Sequence, residues 1–209
     1  MGHEKRDVDA AYALETPDDN RKLYAGWADT YDEDFAARMN FLMPGHVAEL
    51  FGELRGAGPV LDAGAGTGLV GQALAAHHTV AIDALDLSPE MLRVAGSKGV
   101  YRNLIEANLL ETLPFDDGIY RAVLSSGTFT HGHVGPEALD ELLRVAAPGA
   151  LFVLTIKREH YEERGFAAKF ASFGDRITGF QTEMRAIYGA GDAGAHGEDQ
   201  GLIATFHQA

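Results

Sequence analysis

The sequence predicts an α/β protein built on a doubly wound, mostly parallel seven-stranded sheet. Short apolar segments alternate with amphipathic helical patterns over residues 58–172, which is the order that a parallel sheet requires. Two strand-like segments, residues 177–187 and 202–206, then follow one another without a helix between them. We therefore expect an antiparallel hairpin at the C-terminal end of the sheet.

A single domain is the simplest organisation for a chain of 209 residues. We expect one domain over residues 1–209, without internal repeats. Residues 1–22 are polar and predict a loose tail, residues 23–55 predict a helical lid, and residues 58–209 form the expected core.

Charge and residue usage exclude several classes of function. The net charge of -14 disfavours nucleic-acid and anionic membrane partners, because both need clustered Lys and Arg. The chain has no cysteine, which rules out disulfides and thiolate chemistry. The N-terminus has no apolar signal-peptide core, and no apolar run reaches the roughly 18 residues of a membrane span. We expect a soluble, cytoplasmic protein.

Local signals mark where the elements begin and end. Gly58 and Pro59 break the chain before the first strand, which runs from Val60 into Asp62. Ser88 is an expected N-cap in front of a proline at the first helical position. The other predicted strands before the C-terminal pair cover residues 79–86, 101–107, 120–125 and 151–156. The predicted helices cover residues 40–55, 69–78, 90–97, 137–146 and 161–172.

The turn after the first strand carries the strongest functional signal. Residues 60–68 read VLDAGAGTG, so Asp62 precedes three alternating glycines and a helical pattern begins at Leu69. Glycines allow a sharp turn and a close approach of a ligand to backbone amides. A tight strand-to-helix turn also needs glycine for its own geometry. Three alternating glycines behind an acid nevertheless favour a nucleotide-binding turn.

Further candidate residues stand at the ends of the other strands. In a doubly wound, Rossmann-like sheet, ligands bind beyond the carboxyl ends of the strands at the switch point. Asp86 stands where an acid accepts hydrogen bonds from ribose hydroxyls, although it could also be an exposed strand-end carboxylate. Asn108 could bind an adenine edge or cap a turn. The strand tips contribute Asp62, Gly64, Gly66, Gly68, Asp86, Leu87, Asn108, Leu109, Ser125, Ser126 and Gly127.

An aromatic stripe lies upstream of the core. Tyr24, Trp27 and Tyr31 fall at positions i, i+3 and i+7, which is one face of a helix. Such a helix either packs its aromatic face on the domain or covers a ligand as a lid. The two roles are compatible, and we keep both.

The paired motifs resemble those of class I S-adenosylmethionine-dependent methyltransferases. The resemblance lies in residues 62–68 and in residues 86–92, DLSPEML, and extends over about residues 23–157. Residues 27–32, WADTYD, also match small-molecule members. Residues 127–135 are similar to bacterial relatives of the Williams–Beuren-region methyltransferase-like proteins.

The resemblance implies S-adenosylmethionine as cofactor and a small molecule as methyl acceptor. Asp62 would lie near the cofactor amino group, and Asp86 would bind the ribose hydroxyls. Asn108 stands where the family often has an aspartate that contacts the adenine amino group. The complete expected cofactor-binding set is Tyr24, Trp27, Tyr31, Asp62, Gly64, Ala65, Gly66, Gly68, Asp86, Leu87, Met91, Asn108, Leu109, Ser125, Ser126 and Gly127.

Two histidines are candidates for proton transfer. His131 and His133 follow the fourth strand, beside the expected position of the methyl group. A general base is needed only if the acceptor is protonated when it attacks, and both histidines could equally be structural. The two histidines could also be a pair of metal ligands, but no third ligand is apparent in the sequence, so we expect no metal site.

Two other functions stay open. In an NAD(P)-linked oxidoreductase, Gly66, Gly68 and Gly71 would form the dinucleotide fingerprint, but they begin two residues late. The register that begins at Gly64 would need glycine or alanine at Leu69. A non-catalytic S-adenosylmethionine-binding protein would share the same cofactor residues. The oligomeric state stays open.

Overall fold

A computed structural model describes residues 26–129, 134–190 and 198–209. Its strands are β1 (Val60–Ala63), β2 (Ile82–Asp86), β3 (Asn103–Glu106), β4 (Tyr120–Phe129), β5 (Ala146–Lys157), β6 (Ile177–Ala186) and β7 (Gln200–Gln208). Its α-helices are α1 (Met43–Glu53), α2 (Leu69–Ala75), α3 (Pro89–Ser97), α4 (Ala138–Val145), α5 (Arg158–Glu163) and α6 (Phe166–Phe173). A π-helical segment, Asp32–Ala37, precedes α1.

The described strands form one sheet in the order β3-β2-β1-β4-β5-β7-β6. Strands β1 to β5 are parallel, and β7 is antiparallel to both of its neighbours, β5 and β6. The predicted seven-stranded, mostly parallel sheet with an antiparallel C-terminal pair is confirmed. The strand order reverses between β1 and β4, so the switch point lies at the carboxyl end of β1, where the glycine turn begins.

Helices cover both faces of the sheet and bury an apolar cluster on each. On one face, α1 and α2 pack Phe51 and Leu74 against Val60 of β1. On the other face, α4 and α6 pack Leu139 and Phe170 against the sheet. Burying one such side chain contributes about 1.5–3 kcal/mol, so these clusters hold the strand ends in place.

Strand β4 is longer than the sequence predicts. We expected it to end at Ser125, but it continues to Phe129. Ser125 pairs with Leu154 and Phe129 with Ile156, so four residues along β4 match two along β5. This bulge lets pairing resume after a polar, glycine-containing stretch that local pattern alone marks as a loop.

Other boundaries also move. Strand β5 begins at Ala146, and the predicted turn at residues 148–149 lies inside it, where Gly149 takes a φ of 79° at an irregularity in the pairing with β4. The helix predicted over residues 161–172 is divided between α5 and α6, because Gly165, with a φ of 80°, ends the first of them. Within the described residues, no helix combines the length and apolar character needed to cross a membrane.

Candidate functional site

The glycine turn is packed tightly between β2 and β4. The amides of Gly64 and Ala65 both donate to the carbonyl of Leu85, at 2.8 and 2.9 Å. Gly64 has a φ of +71°, and a Cβ placed on it would lie 2.1 Å from Oγ1 of Thr128. Glycine is therefore required at this position both by backbone conformation and by space.

Asp86 links the glycine turn to the start of α3. Its carboxylate accepts the Gly66 amide at 2.8 Å and the Ser88 amide at 2.9 Å. Ser88 caps α3 as predicted, because its Oγ accepts the Met91 amide at 3.2 Å. Burial raises the pKa of Asp86, and the amides of Ser88, Gly66 and Leu87 oppose that rise. Each carboxylate oxygen keeps acceptor capacity for a ligand.

The β4 bulge forms the facing wall. Ser125 and Thr128 donate their hydroxyls to the same carbonyl, that of Ala63, at 2.6 and 3.1 Å. These bonds fasten the end of β4 to the end of β1 and present residues 126–128 at the opening. The Oγ of Ser126 is buried and has no hydrogen-bond partner among the described residues. Such a hydroxyl is available to a ligand.

Aromatic side chains upstream of α1 complete the opening. The rings of Trp27 and Tyr31 lie 5.1 Å apart, those of Tyr31 and Phe35 5.0 Å, and those of Phe35 and Phe41 5.5 Å. Phe41 also forms a bridge with Tyr188, which anchors the segment to the C-terminal part of the chain. Tyr31 and Phe41 face the opening, and Trp27 is buried behind them.

These walls enclose a cleft of about 960 Å³, part of it open to solvent. Eleven of the predicted cofactor-binding residues line it: Tyr31, Gly64, Ala65, Gly66, Asp86, Leu87, Met91, Asn108, Leu109, Ser126 and Gly127. Asp86 is the one charged side chain among the described residues of this wall. Tyr24, His131 and His133 lie outside the described residues.

Comparisons with known proteins agree with this geometry. Residues 61–154 match the family model described as "Methyltransferase domain". Human methyltransferase-like protein 27 is 34% identical over 157 residues, which cover 72% of this chain and 62% of that protein. The family match and the fold identify residues 61–154 as a class I S-adenosylmethionine-dependent methyltransferase domain.

A second curated relative is named for a different activity. The malonyl-[acyl-carrier protein] O-methyltransferase of Geobacter sulfurreducens is 32% identical over 179 residues, covering 82% of this chain and 59% of that enzyme. The chain thus spans about six-tenths of the length of these two curated relatives.

Solved structures share the fold. One from Thermotoga maritima, titled as a possible histamine N-methyltransferase, has a TM-score of 0.64 at 14% identity and covers 90% of this chain and 98% of that one. The DhpI–SAH complex has a TM-score of 0.64 at 18% identity, and the match covers 90% of this chain and 94% of that one.

Asp62 lies behind the glycine turn and is not among the residues that line the cleft. Side chains alternate along β1, so Asp62 shares the face of Val60 and points towards α2. The hydroxyl of Tyr101 donates to Asp62 at 2.6 Å and accepts the Gly71 amide at 3.1 Å. Burial, with a smaller contribution from the charge of Asp86, raises the pKa of Asp62 to about 7, against the lowering effect of Tyr101.

Three further predicted residues are also absent from the wall. Trp27 is 2% exposed and packs behind Tyr31. Gly68 is the N-cap residue of α2, with a φ of 87° that glycine allows. The hydroxyl of Ser125 donates to the carbonyl of Ala63. Each supports the cleft from outside.

Asn108 lines the cleft and also caps a turn. Its Oδ1 accepts the Leu110 amide at 3.0 Å, and its Nδ2 donates to Glu111 at 3.1 Å. The turn-capping alternative is therefore what the structure shows, and the amide oxygen keeps acceptor capacity for one further hydrogen bond.

Nine residues of the cleft lie outside the predicted cofactor-binding set. They are Phe41, Pro44, Thr67, Leu69, Val70, Leu85, Ala107, Thr128 and Val134. Thr67 stands inside the glycine motif, so the motif itself could have indicated it. Phe41 carries no local signal, since its place depends on pairing with Tyr188.

Proposed function

We propose that this methyltransferase transfers a methyl group from S-adenosylmethionine to a small-molecule acceptor. The observation that supports the proposal is the bond between the Gly66 amide and Asp86, which brings the glycine turn and this carboxylate onto one cleft. This arrangement joins backbone amides, a carboxylate and apolar surface in one cleft.

The residues present fit the cofactor. A Cβ added at Gly66 would meet nothing within 4 Å, so the turn leaves open space where a ligand approaches the backbone. Asp86 would accept the ribose hydroxyls, and Leu87 and Met91 would pack against adenine. The buried Oγ of Ser126, without a partner among the described residues, would bind the methionine end.

Binding and orientation are the main tasks of the chain itself. S-adenosylmethionine supplies a methyl group on a sulfonium, which the acceptor attacks in line while the sulfur keeps the bonding electrons. Tyr31 and Phe41 would exclude water from the cleft and limit the directions of approach. In this role residues 26–41, which belong to the lid segment predicted over residues 23–55, would act as the lid.

The acceptor is proposed to be small. One relative is named for a malonyl group on a carrier protein and one neighbour, as a possibility, for histamine, and the group named in each is small. If the acceptor carries a proton, His131 and His133 are the proposed bases, because they follow β4 in the sequence.

Product analysis tests the proposal. The chain is incubated with S-adenosylmethionine and a panel of amines, carboxylic acids and phenols, and S-adenosylhomocysteine is measured by mass spectrometry. We expect S-adenosylhomocysteine to form only when an acceptor is present. Asp86→Ala should lower kcat/KM on the order of 100-fold or more, because the two charge-assisted hydrogen bonds to the ribose hydroxyls disappear.

Glu106→Ala is the matched control. Glu106 pairs with Asp86 in the sheet register, but it is exposed and does not line the cleft. It should leave kcat/KM within about twofold, as expected for a surface substitution. Tight cofactor binding without product across the panel would favour the non-catalytic alternative.

A further inference from the structure

Three side chains fasten the lid to the glycine turn. The Thr67 hydroxyl donates to Oδ1 of Asp32 at 2.6 Å. The Lys98 ammonium forms an ion pair with the other oxygen, Oδ2 of Asp32. Lys98 also donates to the Thr67 carbonyl at 2.7 Å. We call this closed set of bonds the Asp32–Thr67–Lys98 clamp.

The clamp is shielded from solvent. The Lys98 side chain is 12% exposed and that of Asp32 is 34% exposed, and Thr67 is buried. Low exposure strengthens the attraction and weakens screening by salt. Lys98 is also the C-cap residue of α3, where a positive charge is favoured by the helix dipole.

A second ion pair between the same two segments gives a contrast. Arg93 of α3 pairs with Asp29 of the lid, but their side chains are 62% and 78% exposed. Exposed pairs contribute little, because water and salt screen them. Among the residues that the structure describes, one shielded and one exposed ion pair therefore join residues 26–41 to α3 and its C-cap, and the two cations can be compared directly.

Two members of the clamp, Asp32 and Thr67, connect it to the cleft. Asp32 directly follows Tyr31, and Tyr31 and Thr67 both line the cleft. Fixing the Asp32 carboxylate on Thr67 and Lys98 therefore restrains the backbone next to Tyr31, on the same cleft that Thr67 lines. The aromatic contacts of Tyr31 with Phe35 then carry this restraint along the lid.

We propose that Lys98 is a positioning residue of the cofactor site. It acts through Asp32 and Thr67 to hold Tyr31 over the glycine turn, so that breaking the clamp opens the lid and releases the cofactor. The proposal rests on the proposed function, since it assumes that S-adenosylmethionine occupies the cleft.

Calorimetric titration with S-adenosylhomocysteine tests it on three forms of the full chain. Lys98→Met keeps an unbranched side chain of nearly the same length and removes the terminal ammonium with its charge. We expect its Kd to rise on the order of tenfold, the size of one lost charge-assisted interaction. Arg93→Met should stay within about twofold of the unsubstituted chain. Equal affinity of Lys98→Met and Arg93→Met would overturn the inference, whereas no binding by the unsubstituted chain would overturn the proposed function.

Hydrogen exchange separates positioning from a loss of stability. In the unsubstituted chain, S-adenosylhomocysteine should slow amide exchange over residues 26–41. In Lys98→Met at saturating ligand, we expect that protection to be reduced over this segment while the protection of β1 and β4 is kept. Uniform loss of protection over the segment and both strands would indicate a merely structural role and contradict the proposal.

A double-mutant cycle gives an independent arm. Asp32→Asn and Lys98→Met should each raise the Kd, and the double variant should raise it no further than either single change, because both break the same contact. Additive effects would mean that the two residues act separately and that the clamp does not exist as a unit.

Discussion

Replacing Gly64 with alanine probes how closely the glycine turn is packed against β4. The residue has a φ of +71°, and the new Cβ would lie 2.1 Å from Oγ1 and 2.8 Å from Cγ2 of Thr128. The left-handed conformation costs a non-glycine residue about 1–2 kcal/mol. Thr128 must also move off the Ala63 carbonyl, to which it donates at 3.1 Å, a loss of about 0.5–1.5 kcal/mol. The free energy of unfolding should fall by about 1.5–3.5 kcal/mol.

Gly66→Ala is the control, two residues further along the same turn. Gly66 also has a positive φ, +53°, but an added Cβ meets nothing within 4 Å. Its cost should be the backbone strain alone, about 1–2 kcal/mol. Urea unfolding measures the loss in the free energy of unfolding for each variant, provided that the dependence on urea concentration, the m-value, is unchanged. If Gly64→Ala proves no more destabilising than Gly66→Ala, the close packing of the turn on Thr128 is wrong.

Three further predictions concern buried acids. The pKa of Asp62 is raised to about 7 from 3.8, so between these values the folded state holds a proton that the unfolded chain has lost. Stability should fall by up to about 4 kcal/mol as the pH rises from about 4 to above 7, and Asp62→Asn should flatten that part of the profile in urea unfolding. Tyr101→Phe removes the hydroxyl that donates to Asp62 and should lower stability at pH 8 by about 1–3 kcal/mol; an unchanged urea midpoint would contradict this bond. Burial of Asp83 favours its protonated form, but hydrogen bonds from Arg102 and Tyr120 outweigh this and lower its pKa. The ionised carboxylate should therefore stabilise the folded chain above pH 4, and this stabilisation should be lost on acidification. A pH-independent difference in stability between Asp83→Asn and the unsubstituted chain below pH 4 would contradict this prediction.

Local sequence patterns account for most of the sheet and for much of the cleft floor. Strand and helix periods place β1 to β5 in parallel order, and the motif that runs from Gly64 to Gly68, with Asp86, locates the cleft. These features depend on neighbours within a few residues, or on the general rule for the switch point of such sheets. The length of β4 was underestimated because its bulge is stabilised by pairing with β5, which no local pattern records.

Long-range contacts explain what the sequence could not predict. Thr67 and Lys98 lie 35 and 66 residues from Asp32, so no spacing rule connects them. Phe41 reaches the cleft through its bridge to Tyr188. The position of Asp62 is different, because the alternation of side chains along β1 was readable. An acid in the middle of a buried strand points to one face of the sheet and not to the ligand at its end.

A direct measurement of the central claim is a calorimetric titration of the unsubstituted chain with S-adenosylhomocysteine and, separately, with NAD. The cleft formed by the glycine turn, Asp86 and the lid predicts saturable one-to-one binding of S-adenosylhomocysteine and no heat of binding for NAD. Binding of NAD without binding of S-adenosylhomocysteine would contradict the assignment of the cleft.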